Sequence, residues 1–267
     1  MAYVHGYNER EEQRLQDQAR TLVDLLHADT FYPAGSKVLE AGCGTGAQTL
    51  TLALKSPEAS ITSIDISAAS IDIAKATCRA AGITNVAFLQ ADLLSVSFED
   101  ESFDHVFLCF VLEHLPKPEL ALKALKRLIR PGGTITVIEG DHGSAHFHPD
   151  SVFARRAINC QVELQARSGG DANIGRRLYP LLTSSGFDTC ALRVVPRLVY
   201  VDGSRPDWIE GFTKNTFITM IEGVKDQAVS AGLMTQGDFD KGLFDLRQTA
   251  TADGVFCYTF FKATAEV

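Results

Sequence analysis

The sequence predicts an α/β fold in which a parallel sheet is covered by helices on both faces. Three observations carry that expectation. Strand-like and helix-like segments alternate between residues 37 and 139 at the length of βαβ units. Apolar runs such as Val106-Phe107-Leu108-Cys109-Phe110 have the unbroken character of strands buried on both sides. A glycine-rich turn, Gly42-Cys43-Gly44-Thr45-Gly46, leads straight from the first strand into a helix at Ala47.

A helix over residues 8–27 is expected first. Asn8 is an N-cap type with Glu11 in capping-box position, and Leu15, Ala19, Leu22, Val23 and Leu26 recur at helical spacing. Tyr32-Pro33-Ala34-Gly35 ends it. Strands follow over 37–41, 60–64, 86–90, 104–110 and 134–139, with helices over 47–55, 68–81 and 119–129. Ser67 has N-cap chemistry, Gly82 suits a helix stop, and Pro131-Gly132-Gly133 reads as a hard break before the fifth strand. Beyond Gly140 the rhythm changes: helices over 151–166 and 174–185, then a long strand over 188–201. Residues 207–249 read as mostly helical and rich in large apolar side chains, and a last strand spans 255–262.

With 267 residues, 45% of them apolar and 22% charged, the chain reads as one ordinary globular domain. Its expected parts are an N-terminal helical segment over 1–34, a core over 35–201 and 252–267, and a helical insertion over 202–251. The longest unbroken apolar stretch, Val106 to Leu112, is far too short to span a bilayer, so no membrane partner is expected. The N-terminus has neither the cationic head nor the apolar core of a signal peptide, and a cytoplasmic location follows by default. A net charge of −8 without a basic cluster argues against nucleic acid, whose recognition needs a concentrated positive face. The six cysteines show no C-x-x-C pair and read as buried thiols, and His142, His146 and His148 lack the ligand spacing of a zinc site, so no metal is expected.

The chemistry concentrates at the ends of the first three strands. Gly42, Gly44 and Gly46 let the backbone approach a ligand and aim helical N–H groups at it. Glu40, two residues before the first glycine, would repel a pyrophosphate and suits a ligand with an ammonium group and no phosphate, a description that fits S-adenosylmethionine. Asp65, followed by Ile66 at the end of the second strand, can accept both ribose hydroxyls of an adenosine. Asp92, at the end of the third, can accept from the adenine amine while Leu93 lies against the ring. Each acid also has a plain structural reading: Asp65 as a helix cap, Asp92 as a solvated turn residue. Because Gly42-x-Gly44-x-x-Ala47 also satisfies the looser dinucleotide fingerprint, an NAD-dependent oxidoreductase is weighed beside it; Glu40 speaks against that reading.

The set Val38-Leu39-Glu40-Ala41-Gly42-Cys43-Gly44-Thr45-Gly46, Ser63-Ile64-Asp65-Ile66-Ser67, Gln90-Ala91-Asp92, Phe103-Asp104-His105-Val106, Phe110-Val111-Leu112-Glu113-His114-Leu115 and Leu128-Ile129-Arg130-Pro131-Gly132-Gly133 resembles the class I S-adenosylmethionine-dependent methyltransferases. Within them it is most similar to the small-molecule branch that includes ubiquinone- and menaquinone-pathway enzymes. The resemblance covers roughly residues 35–140. It implies a Rossmann-like, doubly wound, seven-stranded sheet with the last strand antiparallel. It also implies that the glycine turn cradles the methionine portion of the donor, Asp65 holds the ribose, Asp92 faces the adenine and Phe110 sits beside the ligand. The stretch Phe110-Val111-Leu112-Glu113 differs from the Asn-Pro-Pro-Tyr tetrad of the family's amino-methylating nucleic-acid and glutamine enzymes. The departure from the family is the long stretch between the last two strands, read as an apolar helical lid over a small, partly hydrophobic acceptor, with a homodimer face or extra core as the alternatives.

Methyl transfer from a sulfonium is an in-line SN2 displacement, in which alignment and desolvation are the protein's main contributions. A general base is required only where the nucleophile arrives protonated. His142 is the candidate base, with Glu113, His114 and Glu139 as others near strand ends. Tyr7 and Arg14, with Tyr3, His5 and Gln18, belong to an N-terminal segment that could fold over the donor and meet its carboxylate. A module that binds the donor without turnover is the third reading.

Overall fold

The computed structural model describes residues 9–267; the expected cap Asn8 and the aromatic residues Tyr3, His5 and Tyr7 lie outside the described residues. Helix α1 (Glu9–His27) is followed by β1 (Lys37–Ala41), α2 (Ala47–Lys55), β2 (Ser60–Asp65), α3 (Ala68–Ala80), β3 (Val86–Gln90), β4 (Phe103–Cys109), α4 (Pro118–Arg127) and β5 (Ile129–His148). Then come α5 (Val152–Arg167), α6 (Leu178–Ser184), β6 (Arg193–Val201), a continuous run of α7 (Pro206–Trp208), a π-helix (Ile209–Ile218) and α8 (Thr219–Gly223), then α9 (Lys225–Ser230), α10 (Gln236–Gln248) and β7 (Val255–Glu266).

The seven strands form one sheet in the order β3-β2-β1-β4-β5-β7-β6. The pairs β1–β2, β1–β4, β2–β3 and β4–β5 are parallel. Strand β7 runs against β5: Gly132 N–H donates to the Val267 carbonyl and Val267 N–H to the Gly133 carbonyl at one end, while Thr259 N–H donates to the Ser144 hydroxyl at the other. The Rossmann-like sheet with its last strand antiparallel is therefore as the resemblance implied.

Chain contacts divide the molecule into two compact units. One contains Val23–Glu139, Gly175–Pro196 and Phe261–Val267; the other contains the residues through Leu22, Gly140–Ile174 and Arg197–Phe260. The first is built on the parallel strands. Val38, Leu39, Val106, Phe107 and Leu108 have no exposed surface, each contributing about 1.5–3 kcal/mol of apolar transfer energy. Local signals hold as expected at α3, where the Ser67 hydroxyl accepts the Ser70 N–H and Gly82 (φ 70°) stops the helix. The second unit carries the aromatic core Phe212, Phe217, Phe256, Tyr258 and Phe260.

Several sequence expectations are corrected. The run Pro131-Gly132-Gly133 does not interrupt β5, which extends over Ile129–His148. It forms a bulge: β4 pairs Phe103 with Ile129 but His105 with Thr134, and a side chain at Gly133 would strike the Asp104 carbonyl. Phe110 lies beyond β4, at φ 58°. The strand expected from residue 188 begins at Arg193, because Asp188 turns the chain by accepting the Cys190 N–H through Oδ1. Cys190 is exposed, while Cys43, Cys78, Cys109 and Cys160 are buried as free thiols. Among the described residues no helix is long and apolar enough to cross a membrane, and no group of His, Cys, Asp and Glu is arranged to hold a metal ion.

Candidate functional site

In the strand order 3-2-1-4-5 the direction of winding reverses between β1 and β4, and open α/β sheets bind ligands outside the carboxyl ends of the strands at such a point. The glycine turn follows β1 there and Phe110 follows β4. All three turn glycines have positive φ: 80° at Gly42, 53° at Gly44 and 84° at Gly46. Their surroundings differ. A Cβ at Gly42 would lie 2.6 Å from Val111 Cγ2, and one at Gly46 would lie 2.9 Å from Ala74 Cβ, so these two let the turn pack on its neighbours. A Cβ at Gly44 would meet no atom within 4 Å. Gly44 is the part of the turn that faces open space.

Glu40 sits beneath this turn, 2% exposed. Its Oε2 accepts from the hydroxyls of Thr49 and Ser63, both at 2.6 Å. Ser63 is its register partner on β2, and Thr49 comes from the first turn of α2. Burial pushes the Glu40 carboxyl up to about 7; the two hydroxyls pull it back down and the Asp65 charge adds to the rise. Glu40 is thus poised between neutral and charged near neutral pH, and an arriving cation would favour the ionised form.

Asp65 joins the turn to α3. Its Oδ2 accepts the Gly44 N–H at 2.8 Å and its Oδ1 accepts the Ser67 N–H at 2.9 Å. A carboxylate has about four acceptor positions, so these two bonds orient Asp65 while leaving capacity for hydroxyl donors. Ile66 follows it, 65% exposed. At the end of β3, Asp92 is exposed and accepts the Leu94 N–H through Oδ1 at 2.9 Å, a turn that leaves Leu93 half-buried. The structure joins Asp65 to the glycine turn at Gly44 and sets Glu40 near enough to feel the Asp65 charge; Asp92 stands at the neighbouring strand end as a turn residue.

Phe110, half-buried, is a bulky residue held in the left-handed region, a conformation that costs about 1–3 kcal/mol and gathers at functional sites. Its N–H is anchored on the Ile138 carbonyl at 2.9 Å. The turn that follows is held by Glu139, fully buried, whose Oε1 accepts from Val111 N–H at 3.0 Å and Leu112 N–H at 2.7 Å. Burial and the nearby Glu113 carboxylate push Glu139 well above the ordinary carboxylate range, against the pull of the backbone amides. His114 lies 3.7 Å from Glu113.

His142 and Arg14 belong to the second unit. His142, 8% exposed, meets the Tyr258 hydroxyl through Nδ1 at 2.9 Å. Arg14 is buried and donates to Gln18 Oε1 at 2.9 Å, one turn along α1. Tyr7, expected beside them, lies outside the described residues.

Sequence reasoning missed Ser63, Thr49 and Tyr258. The first two stand among other small polar residues, and only the β1–β2 register places Ser63 opposite Glu40. Tyr258 left a weaker trace: Phe256, Tyr258, Phe260 and Lys262 alternate along β7 as one buried face.

Residues 38–133 match the family model described as "Methyltransferase domain". An uncharacterised protein of Synechococcus sp. is 38% identical over 155 residues, 56% of this chain and 36% of that protein. Demethylmenaquinone methyltransferase of Staphylococcus aureus is 35% identical over 106 residues, 39% of this chain and 43% of that protein. The chain thus spans about two fifths of the length of these curated relatives. Among solved structures, a putative methyltransferase from Bacillus halodurans superposes with a TM-score of 0.57 at 15% identity, covering 93% of this chain and 97% of that one. Residues 38–133 therefore resemble a methyltransferase domain, and the chain shares its fold with a solved putative methyltransferase.

Proposed function

We propose that the protein is an S-adenosylmethionine-dependent methyltransferase acting on a small, partly apolar acceptor. The observation that supports this reading is Asp65 bonded to a glycine turn that is open at Gly44, with the buried Glu40 carboxyl within reach of the Asp65 charge. The cradle fits the donor chemically: backbone without a side chain at Gly44, an acid beneath it that gains charge beside a cation, and a second acid with acceptor capacity for a ribose. When bound, S-adenosylmethionine would supply a methyl group already activated on sulfur, open to in-line attack by the acceptor with the thioether as leaving group.

The residues divide the work. Gly42, Gly44 and Gly46 shape the cradle for the methionine portion, Asp65 and Ile66 take the ribose, Asp92 and Leu93 the adenine, and Phe110 flanks the donor. Glu40 offsets its positive charge. Tyr7 and Arg14 are assigned to the donor carboxylate. His142 takes the proton of an acceptor that arrives protonated. The helical stretch within 202–251 encloses the acceptor, and its large apolar side chains are why a partly hydrophobic molecule is favoured over a highly charged one. The relative named for demethylmenaquinone makes a naphthoquinol the first acceptor to try.

Isothermal titration with S-adenosylmethionine, S-adenosylhomocysteine and NAD tests the donor. Heat with the first two and none with NAD is expected; the reverse pattern sinks the reading. Release of S-adenosylhomocysteine with 1,4-naphthoquinol, a panel of small phenols and amines, and RNA then tests the acceptor. Turnover confined to RNA would overturn its small-molecule part, and binding without any turnover would favour a non-catalytic module. Sedimentation at several concentrations decides whether the apolar stretch instead joins two copies.

A further inference from the structure

We propose that the amino edge of the sheet carries a second binding site, which takes a zwitterionic amino acid with an apolar side chain. It is separate from the donor cradle and does not rest on the methyl-transfer reading. Strand β4 (7 residues) begins beside this site and ends just before Phe110, about 20 Å of extended chain away.

The site is a cavity of about 430 Å³, within the size range of small-molecule sites. Every residue that lines it belongs to the unit containing Val23–Glu139, Gly175–Pro196 and Phe261–Val267. Part of the lining is apolar: Ile129, 2% exposed at the start of β5, Pro131 of the bulge, and Val267 just beyond β7. The bulge fixes this part, because Gly132 N–H and the Gly133 carbonyl both bond to Val267.

The charged part is built by two elements. Lys123, Lys126 and Arg127 come from the end of α4, at the i, i+3, i+4 spacing that sets side chains on one helix face. Asp100 and Glu101 come from the turn ahead of β4. Arg127 ties the two together. Its guanidinium donates to the Asp100 carboxylate and the Phe98 carbonyl, and its own carbonyl accepts the Glu101 N–H at 3.0 Å. Glu101 is thereby held at φ 57°, a left-handed conformation uncommon for any residue but glycine.

The other charges are left without a counter-charge. The Lys126 ammonium donates to the neutral Gly186 carbonyl and lies 5.4 Å from the centre of the Phe187 ring. Lys123 and Glu101 are exposed and form no ion pair among the described residues, although they line the same cavity. With Arg127 and Asp100 paired, the side chains offer two ammonium groups to an anion and one carboxylate to a cation. A simple phosphate or carboxylate would meet Glu101 as a like charge, and a simple amine would meet two lysines. A molecule with both charges on one carbon answers all three through charge-assisted hydrogen bonds. The buried Ser185 hydroxyl donates to the Leu181 carbonyl at 2.8 Å and keeps an acceptor lone pair for an ammonium N–H. The apolar lining then takes the side chain.

NMR titration of the full chain tests this, with S-adenosylhomocysteine at saturation to keep amino acids out of the donor cradle. The reporters are the Glu101 and Ser185 amides and the Ile129 methyls. L-phenylalanine is expected to shift them, while phenethylamine and hydrocinnamate, which keep the ring and lose one charge each, bind at least fivefold more weakly. Lys123→Met and Glu101→Gln preserve side-chain length at exposed positions, and each should weaken L-phenylalanine at least fivefold. No shift of these signals at about 10 mM L-phenylalanine overturns the site. Binding of hydrocinnamate, phenethylamine or inorganic phosphate as tight as that of L-phenylalanine overturns the zwitterion, as does unchanged affinity in either variant. Should S-adenosylhomocysteine fail to bind, the donor reading falls, and the same signals decide this site on the free protein.

Discussion

Glu40→Gln is expected to stabilise the protein at alkaline pH while weakening its grip on the donor. The carboxyl is buried with an ordinary value of 4.5 raised to about 7, so the folded chain holds its proton more tightly than the unfolded chain does. Its contribution to stability is therefore complete below about pH 4.5 and is lost as pH rises through about 7. About 2.5 units at 1.36 kcal/mol each correspond to about 3 kcal/mol. The glutamine carbonyl can still accept from Ser63 and Thr49 but never ionises. Urea unfolding should find the two proteins nearly equal at pH 5, and the variant more stable by up to about 3 kcal/mol at pH 8. Calorimetric affinity for S-adenosylmethionine should move the other way, falling in the variant. In the wild type it should weaken about tenfold per pH unit below 7, where the acid must first lose its proton. Equal stability at pH 8, or an equal loss at both pH values, would refute the argument that burial raises the Glu40 carboxyl despite its two hydroxyl partners.

The remaining expectations concern the turn, the buried lysine and the second buried acid. Gly44→Ala should cost only the strain of positive φ, about 1–2 kcal/mol, yet reduce S-adenosylhomocysteine affinity more than tenfold, because its Cβ enters the space left for a ligand. Gly42→Ala adds the clash with Val111 and should lower the thermal midpoint further; similar effects of both on stability and binding would contradict the distinction. Lys262, 3% exposed on β7, donates to Asp29, Thr30 and the Leu26 carbonyl, fastening the end of α1. Lys262→Met should lose about 2–3 kcal/mol by chemical denaturation, Asp29 being half-exposed and so discounted. Glu139→Gln keeps an acceptor for Val111 and Leu112 and should stay within about 1 kcal/mol of wild type. Glu139→Leu should speed hydrogen exchange at those two amides, and unchanged exchange would remove Glu139 from its role in holding the turn.

Chain order by itself determined the parallel half of the sheet and the place of the cradle. Those signals are local: Val38 and Leu39 are buried on both sides, Ser67 caps its own helix, and three glycines at alternate positions allow one kind of turn. The length of β5 was not readable, because Pro131-Gly132-Gly133 becomes a bulge only when β4 and the chain end at Val267 lie beside it. Nor was the state of Glu40, which depends on hydroxyls 9 and 23 residues away in sequence. The pairing of His142 with Tyr258 spans 116 residues and needs a strand glycine to make room. Local propensity fixes where a turn or a cap falls; the charge on a buried acid follows from dielectric and partners, which only packing supplies.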